Sequence, residues 1–340
     1  GLESGLRFES MMQAASVLKL PTIFVSVAAY CEPHLHLTIH QLFAKATYPQ
    51  RIYVGLVDQS EQLNPAWLSQ FPARKNINYV GLSPVDSRGV SWARSIAFSL
   101  YNDQDYLLQI DSHTLFDPAW DELLIDQLQQ LQTAHPKPLI STYPPGFRFD
   151  VQGRAVADEP SKSDEIFFID RDPGSVLTAD RAVLQFRVVR KRTEPPEVTH
   201  LPGFHVGACF LFTTGDFTQQ VPYDPYLYFR GEEQSLSLRA HAKGYQVFHP
   251  RHNLIPLYHL YKEVGRVVEG QHWHPDMEAK RHTAFGWLQQ RSNERTNALF
   301  TPGADLGVYG IENPAHLESF CKLSGIDYLG RSAVPVKSDL

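Results

Sequence analysis

The sequence predicts an α/β fold in which a mostly parallel sheet carries helices on both faces and a helical, turn-rich segment follows. Two observations predict it. Over about the first 140 residues, short β-branched and aromatic runs alternate with amphipathic helical patterns, the order that builds βαβ units with right-handed crossovers. The first of these runs, "IFVSV" (23–27), is β-branched and aromatic instead of alternating, which suits a strand buried on both faces.

The elements follow in order. "IFVSV" (23–27), preceded by Pro21, is the first strand, and Leu35, Ile39, Leu42, Phe43 and Ala46 mark one face of a helix. "RIYVGLVD" (51–58) is a second strand ending in the polar loop "DQSEQLNP", "INYVG" (77–81) a third, and "GVSWARSIAFSLY" (89–101) the helix after it. "DYLLQID" (105–111) is the fourth strand, and Trp120, Leu123, Leu124, Leu128 and Leu131 give the next helix its apolar face. After Pro144 the sequence loosens into long Pro-, Gly- and charge-rich loops, with one strand expected around 182–189; long loops of this kind suit a substrate-facing region. "VGACFLFTT" (206–214) resumes the core, and residues 231–250 read as a helix, a C-cap at Gly244 and a strand. Beyond about residue 260 the pattern is helical, then turn-rich, with no internal repeat.

Composition narrows the function. With 340 residues, 43% hydrophobic and 12% aromatic, the chain can bury a large core. A formal charge of -6 without a long basic run argues against general affinity for nucleic acid or anionic membrane, leaving "RVVRKR" (187–192) as a local anion- or peptide-binding patch. Cys31, Cys209 and Cys321 are far apart and odd in number, so they close no disulfide framework and favour a reducing compartment, here read as cytoplasmic. No stretch offers the roughly 18 uninterrupted apolar residues of a spanning helix. The start shows no signal-peptide pattern, and "GLESG" reads as either an added tag or the cut end of a longer chain.

Ligands of parallel sheets collect at the carboxyl ends of the strands, which places Ala29 and Tyr30, residues 58–60, and residues 111–113 along one rim. In "YLLQIDSHTLF" (106–116), Asp111 and His113 lie two positions apart after an apolar strand, so both can turn toward one cation. An oxygen and an imidazole nitrogen suit Mn²⁺ or a similar ion better than Ca²⁺. D-x-H is also a common pattern, and a helix-capping aspartate beside a solvated histidine fits the same letters. His249, His252, His259, His272, His274 and His282 follow later, and spacing does not choose a third ligand among them. Glu232 and Glu233 open a helix behind the aromatic run "YDPYLYFRG". They read either as favourable N-terminal charge or as carboxylates that hold hydroxyls or act as a base. Arg88 and Arg94 flank a glycine at a helix start, where guanidinium and backbone N–H groups can meet a diphosphate. The absence of G-x-S-x-G, Walker A, C-x-x-C, H-E-x-x-H and G-x-G-x-x-G removes the commonest nucleophile, phosphate-loop, zinc and dinucleotide readings.

Taken in order, "PTIFVSVAAYCEPHLHLTIHQLFAKATYPQRIYVGLVDQS", "SRGVSWARS", "LLQIDSHTLF", "FRGEEQSLSLRAHAKGY", "YHLY" and "LGVYGIENPAHLESFCKLSGIDY" resemble glycosyltransferase family 60 over residues 21–328. These are polypeptide α-N-acetylglucosaminyltransferases of the GT-A fold, including enzymes that modify hydroxyproline of the ubiquitin-ligase subunit Skp1. The resemblance implies a GT-A catalytic domain over 21–260, with a donor half 21–143 and an acceptor-facing half 144–260. An N-terminal extension (1–20) and a C-terminal extension (261–340) packed on the catalytic domain complete the chain. It implies Mn²⁺ or Mg²⁺ and retaining transfer from UDP-GlcNAc to a hydroxyl of a protein or glycan acceptor. By that match Val27, Ala28, Ala29, Tyr30 and Asp58 surround uridine, and Arg88, Arg94, Asp111 and Ser112 contact the donor or hold the metal loop. Asp111, His113 and His259 bind the metal, with His249 second to His259, and Glu232 or Glu233 meets the sugar or acceptor. Retention suggests same-face attack in which a donor β-phosphate oxygen takes the acceptor proton, since no residue announces itself as a nucleophile. The segment 146–205 does not match the Skp1 enzymes. A bacterial surface-polysaccharide hexosaminyltransferase using another UDP-sugar, a catalytically silent UDP-sugar or glycan-binding domain, and a metal-dependent phosphodiesterase therefore stay open.

Overall fold

A computed structural model describes residues 19–159, 162–262 and 271–331; most of the expected N-terminal extension and part of the C-terminal one lie outside them. Strands β1 (Ile23–Tyr30), β2 (Ile52–Gln59), β3 (Ile77–Leu82) and β4 (Tyr106–Asp111) pair in parallel in the order β3-β2-β1-β4. Helices α1 (Leu35–Ala44) and α2 (Val90–Phe98) follow β1 and β3. A short β5 (Thr114–Phe116) leads to α3 (Trp120–Gln132) and β6 (Pro138–Ser141). Two short hairpin strands, β7 (Phe147–Phe149) and β8 (Ala155–Ala157), precede β9 (Ile166–Arg171), β10 (Phe186–Lys191) and β11 (His200–Gly203). After β12 (Phe210–Thr214) come α4 (Glu232–Ala242), β13 (Gln246–Pro250) and β14 (Leu257–His259); α5 (Phe285–Leu299) and α6 (Ala315–Ser324) end the described chain.

The eight-stranded sheet runs β11-β13-β6-β12-β4-β1-β2-β3. Its parallel character is interrupted where β12 inserts antiparallel between β4 and β6, and where β11 adds antiparallel to β13. Burial explains both the runs and the layers. One core stacks Ile39 and Leu42 of α1 and Leu124 and Leu128 of α3 on Val25, Val27, Leu108 and Ile110. The opposite face packs Phe98 of α2 and Leu236 and Ala240 of α4 on Phe24, Leu107 and Leu211. Helices thus cover both faces of the sheet, as expected. A third cluster joins Leu299 at the end of α5 and Leu317 and Phe320 of α6 to Leu184 and to Leu238 of α4, so the C-terminal helices are buried against the sheet-covering layer. No helix among the described residues is long and apolar enough to cross a membrane.

Two boundaries move. The strand expected at 182–189 lies at Phe186–Lys191, because Ala182, Val183 and Leu184 are buried as a docked loop; the Leu184 N–H donates to Gln234 Oε1 at 2.8 Å. The run 206–214 is strand only from Phe210, since residues 206–209 turn away at the sheet rim.

Three histidines are withdrawn from solvent on the β11–β13 side, His205 and His249 against phenylalanine rings and His200 between Thr199 and Gln127. Burial pushes His205 down to about 3 and His249 and His200 to about 4, with like charge from His249 and Arg251 adding to His205 and His200 respectively. Their neutral forms are favoured in the fold, so below pH 6.5 the unfolded chain binds more protons and stability falls with pH. At pH 5 each contributes roughly 2 kcal/mol of that loss. Thermal unfolding midpoints measured from pH 7 to 4 should fall steadily, and His205→Phe, which keeps the ring contacts to Phe186 and Phe320, should flatten the curve. An unchanged pH slope would refute the assignment.

Candidate metal and nucleotide site

Asp111 ends β4, and the turn through Ser112 and His113 enters β5. Helix α1 fixes this turn: Thr38 Oγ1 donates to the Ser112 carbonyl at 2.8 Å and accepts from the Thr114 N–H at 2.9 Å. β14 then pairs antiparallel with β5, setting His259 opposite Thr114, and the Leu260 N–H donates to the His113 carbonyl at 3.1 Å. This non-local pairing delivers His259 to the D-x-H turn. His259 Nε2 lies 2.8 Å from Asp111 Oδ2 and 3.0 Å from His113 Nε2, and His113 Nε2 is 3.7 Å from Asp111 Oδ2.

One ligand atom from each of Asp111, His113 and His259 thus falls within 4.8 Å of the others. One carboxylate oxygen and two facing imidazole nitrogens form a donor set that fits a divalent ion of Mn²⁺ type. His249 is not part of it. That ring points into the core from β13, Nδ1 lies 2.7 Å from the Ser141 carbonyl, and the ring packs edge-on to Phe168. His252 is likewise buried, stacked on Phe167 with Nδ1 accepting from the Ser163 N–H at 2.9 Å.

Arg94 and Arg88 separate. Arg94, on the inner face of α2 and 2% exposed, pairs with Asp111 Oδ1 and reaches Glu232 Oε1 at 3.4 Å. Arg88 is exposed, one residue before the α2 N-cap, with no ion-pair partner among the described residues. Burial alone would raise Asp111, but the His259 hydrogen bond and the Arg94 guanidinium outweigh it and hold the carboxyl well below its usual range. Burial raises Glu232, which accepts from Tyr223 OH at 3.0 Å. Glu233 is pushed up to about 7 by desolvation, against the hydrogen bonds from Tyr143 OH and from the Ala208 N–H at 2.9 Å.

At the far end of the rim, Val27 and Ala29 send their side chains into the core, so only their backbone can face a ligand. Ala28 packs toward α2, with Val57 and Ala93. Asp58 accepts from Tyr79 OH at 2.6 Å. Tyr30 OH accepts from Arg281 Nη1 at 3.1 Å, and its ring lies 4.8 Å from His272. Residues 271–281, which the sequence did not connect to this rim, therefore pack on it. Tyr143 was missed as well; its signal was its place just after β6, another strand ending at the same rim. Beside the Asp111, His113 and His259 cluster, a groove of about 520 Å³ is lined by Tyr143, Pro145, Phe186, Arg187, Arg190 and Tyr261, among others. It adjoins the cluster directly, because the His259 N–H donates to the Pro145 carbonyl at 3.0 Å and the Tyr261 ring lies 4.4 Å from that of His259.

A family model described as glycosyltransferase (GlcNAc) matches residues 22–71 and 68–327. The chain belongs to this glycosyltransferase family. The match confirms the expected resemblance at the level of GlcNAc glycosyltransferases, and family 60 is a finer assignment. Among solved structures, GalNAc-T7 with UDP, GalNAc and Mn²⁺ is similar over 91% of this chain at 13% identity and a TM-score of 0.57. At that identity the likeness is one of fold, the GT-A fold, and this glycosyltransferase spans 55% of the GalNAc-T7 chain. TarS of S. aureus is similar over 91% of this chain and 43% of its own, at 14% identity and a TM-score of 0.48. No curated protein sequence matches the chain.

The geometry separates the two candidate third ligands. In calorimetric titrations with Mn²⁺, Asp111→Ala and His259→Ala should lose binding by a hundredfold or more, whereas His249→Gln should bind as the parent does. Loss in the His249 variant with retention in the His259 variant would reverse the assignment.

Proposed function

We propose that this glycosyltransferase moves N-acetylglucosamine from UDP-GlcNAc to an acceptor hydroxyl with retention of configuration, as a family 60-type enzyme using Mn²⁺ or Mg²⁺. One observation carries the reading: in a member of the GlcNAc glycosyltransferase family, Asp111, His113 and His259 converge beside the buried Arg94 at a sheet rim. A bound divalent ion supplies a Lewis acid that offsets charge on the departing diphosphate. Arg94 holds Asp111 in one orientation, so the ligand set is ordered before the donor arrives. The backbone of residues 27–30 and the Asp58–Tyr79 pair face the nucleotide, with Tyr30 steadied by Arg281.

The acceptor approaches through the groove on the other side, which assigns residues 144–260 to acceptor contact and 21–143 to the donor. Its hydroxyl oxygen bonds to the anomeric carbon as the bond from that carbon to the β-phosphate oxygen breaks. The hydroxyl proton passes to a β-phosphate oxygen on the same face, and UDP leaves. Glu232, fixed by Arg94 and Tyr223, and Glu233, fixed by Tyr143 and Ala208, hold sugar and acceptor hydroxyls by accepting hydrogen bonds. Arg187, exposed at the groove lip with no ion-pair partner among the described residues, contacts the acceptor and not the donor.

A panel of UDP-sugars with Mn²⁺ or EDTA, monitored for UDP release, tests this reading. UDP-GlcNAc should be hydrolysed slowly without acceptor and only with metal, and Asp111→Ala should abolish turnover while leaving the far-UV circular dichroism intact. If every UDP-sugar stays intact with metal present, the transferase reading fails. Once an acceptor is in hand, Arg187→Glu should raise its KM several-fold and leave acceptor-free UDP-GlcNAc hydrolysis unchanged; an equal loss in both would place Arg187 with the donor.

A further inference from the structure

We propose that Glu32 is a positioning residue that fixes the tautomer and the ring orientation of His113, so that Nε2 presents its lone pair to the metal. This rests on the metal-dependent reading above. Glu32 leaves β1 two residues after its end, beyond Cys31, whose φ of +46° turns the chain in the left-handed region. Non-glycine residues in that region gather where a site needs the chain redirected. The turn aims Glu32 across the rim at the residues after β4. Its carboxylate is 6% exposed and fully used: Oε1 accepts from the His34 N–H at 3.0 Å, while Oε2 accepts from Ser112 Oγ at 3.0 Å and lies 2.7 Å from His113 Nδ1.

An ionised carboxylate only accepts hydrogen bonds. Nδ1 of His113 therefore carries the proton, and Nε2 is left with its lone pair, directed at Asp111 Oδ2 and His259 Nε2. Metal-binding histidines are commonly oriented in this way by a carboxylate on the other ring nitrogen, at a cost of about 10- to 100-fold in metal affinity when it is removed. The same carboxylate holds Ser112, so one side chain from the nucleotide-side loop after β1 sets two consecutive residues of the metal turn.

Two measurements test the role, and one needs no metal. In the metal-free parent protein, ¹⁵N NMR of His113 should show the Nδ1-protonated tautomer; Glu32→Ala should shift it toward the Nε2-protonated form. In Mn²⁺ titrations by calorimetry, Glu32→Ala should bind roughly 10- to 100-fold more weakly. Glu32→Gln, with one acceptor oxygen in place of two, should fall between it and the parent and covers the case in which the alanine variant does not fold. A parent-like tautomer together with parent-like Mn²⁺ affinity in the folded alanine variant would overturn the proposal. If the parent binds no Mn²⁺, the metal reading fails on its own, while the tautomer measurement still supports or overturns the part played by Glu32.

Discussion

The site depends on one buried cation. Arg94 brings a guanidinium under the rim, 2% exposed, between Asp111 of β4 and Glu232 of α4. Taking a charge out of water is costly unless it is paired and hydrogen-bonded, and here the pairing residues come from opposite halves of the chain. Arg94 thereby joins the carboxylate at the end of β4 to the carboxylate at the start of α4. Without it, Asp111 and Glu232 would meet as like charges in a poorly solvated space, and burial would raise both. Asp111 and Glu232 share this guanidinium, while Glu32 lies beyond Asp111 against His113, with the Lys262 ammonium nearby.

The topology explains how so many groups reach that rim. Parallel strands present their carboxyl ends on one side, and β1, β2 and β4 deliver Tyr30, Asp58 and Asp111 there. An antiparallel strand inserted in the same sheet presents its opposite end to the same side. β12 runs against β4, with Phe210 opposite Ile110, so the residues just before it arrive beside the metal turn: the Ala208 N–H is spent on Glu233 and its carbonyl accepts from Gln109 at 2.8 Å. Gln109 also donates to Tyr223 OH at 2.7 Å, which in turn donates to Glu232. A polar side chain in the middle of an apolar strand thus has a structural reason, as the buried start of the relay that orients a carboxylate.

Much of this was legible in the sequence, and what was not has identifiable physical causes. β1, β2 and β4 were visible because burial on both faces demands continuous apolar runs, whereas β3 is a partly exposed edge strand, and Asp111 at the end of β4 and His113 just after it are local neighbours. His259 and His249 could not be separated, because the choice is made by the β14–β5 pairing, in which Leu257–His259 meets Thr114–Phe116 across some 140 positions. A three-residue strand leaves almost no periodicity to read. Arg88 and Arg94 looked equivalent beside Gly89; the helical turn sends one to solvent and the other inward. Glu32 and Arg281 were invisible for a related reason, since each acts on a residue far along the chain and neither sits in a recognisable pattern. Of the histidines between 249 and 282, His259 joins Asp111 and His113. Burial, not ligation, accounts for His249, His252 and His272, each packed against an aromatic ring.

The distribution of anchoring along the rim bears on how the two substrates are received. The turn from Asp111 to His113 is bonded to α1 through Thr38, to β14 through the His113 carbonyl and to α2 through Arg94, so it is anchored from three elements. Across the cluster, the wall formed by β9 and β10 is a two-stranded ribbon outside the main sheet. Its basic residues have unequal partners: Arg190 pairs with Glu159, whereas Arg187 has none among the described residues. In the proposed reading, an anchored turn beside a wall with an uncommitted charge lets the reacting centre stay constant while selectivity resides in the groove.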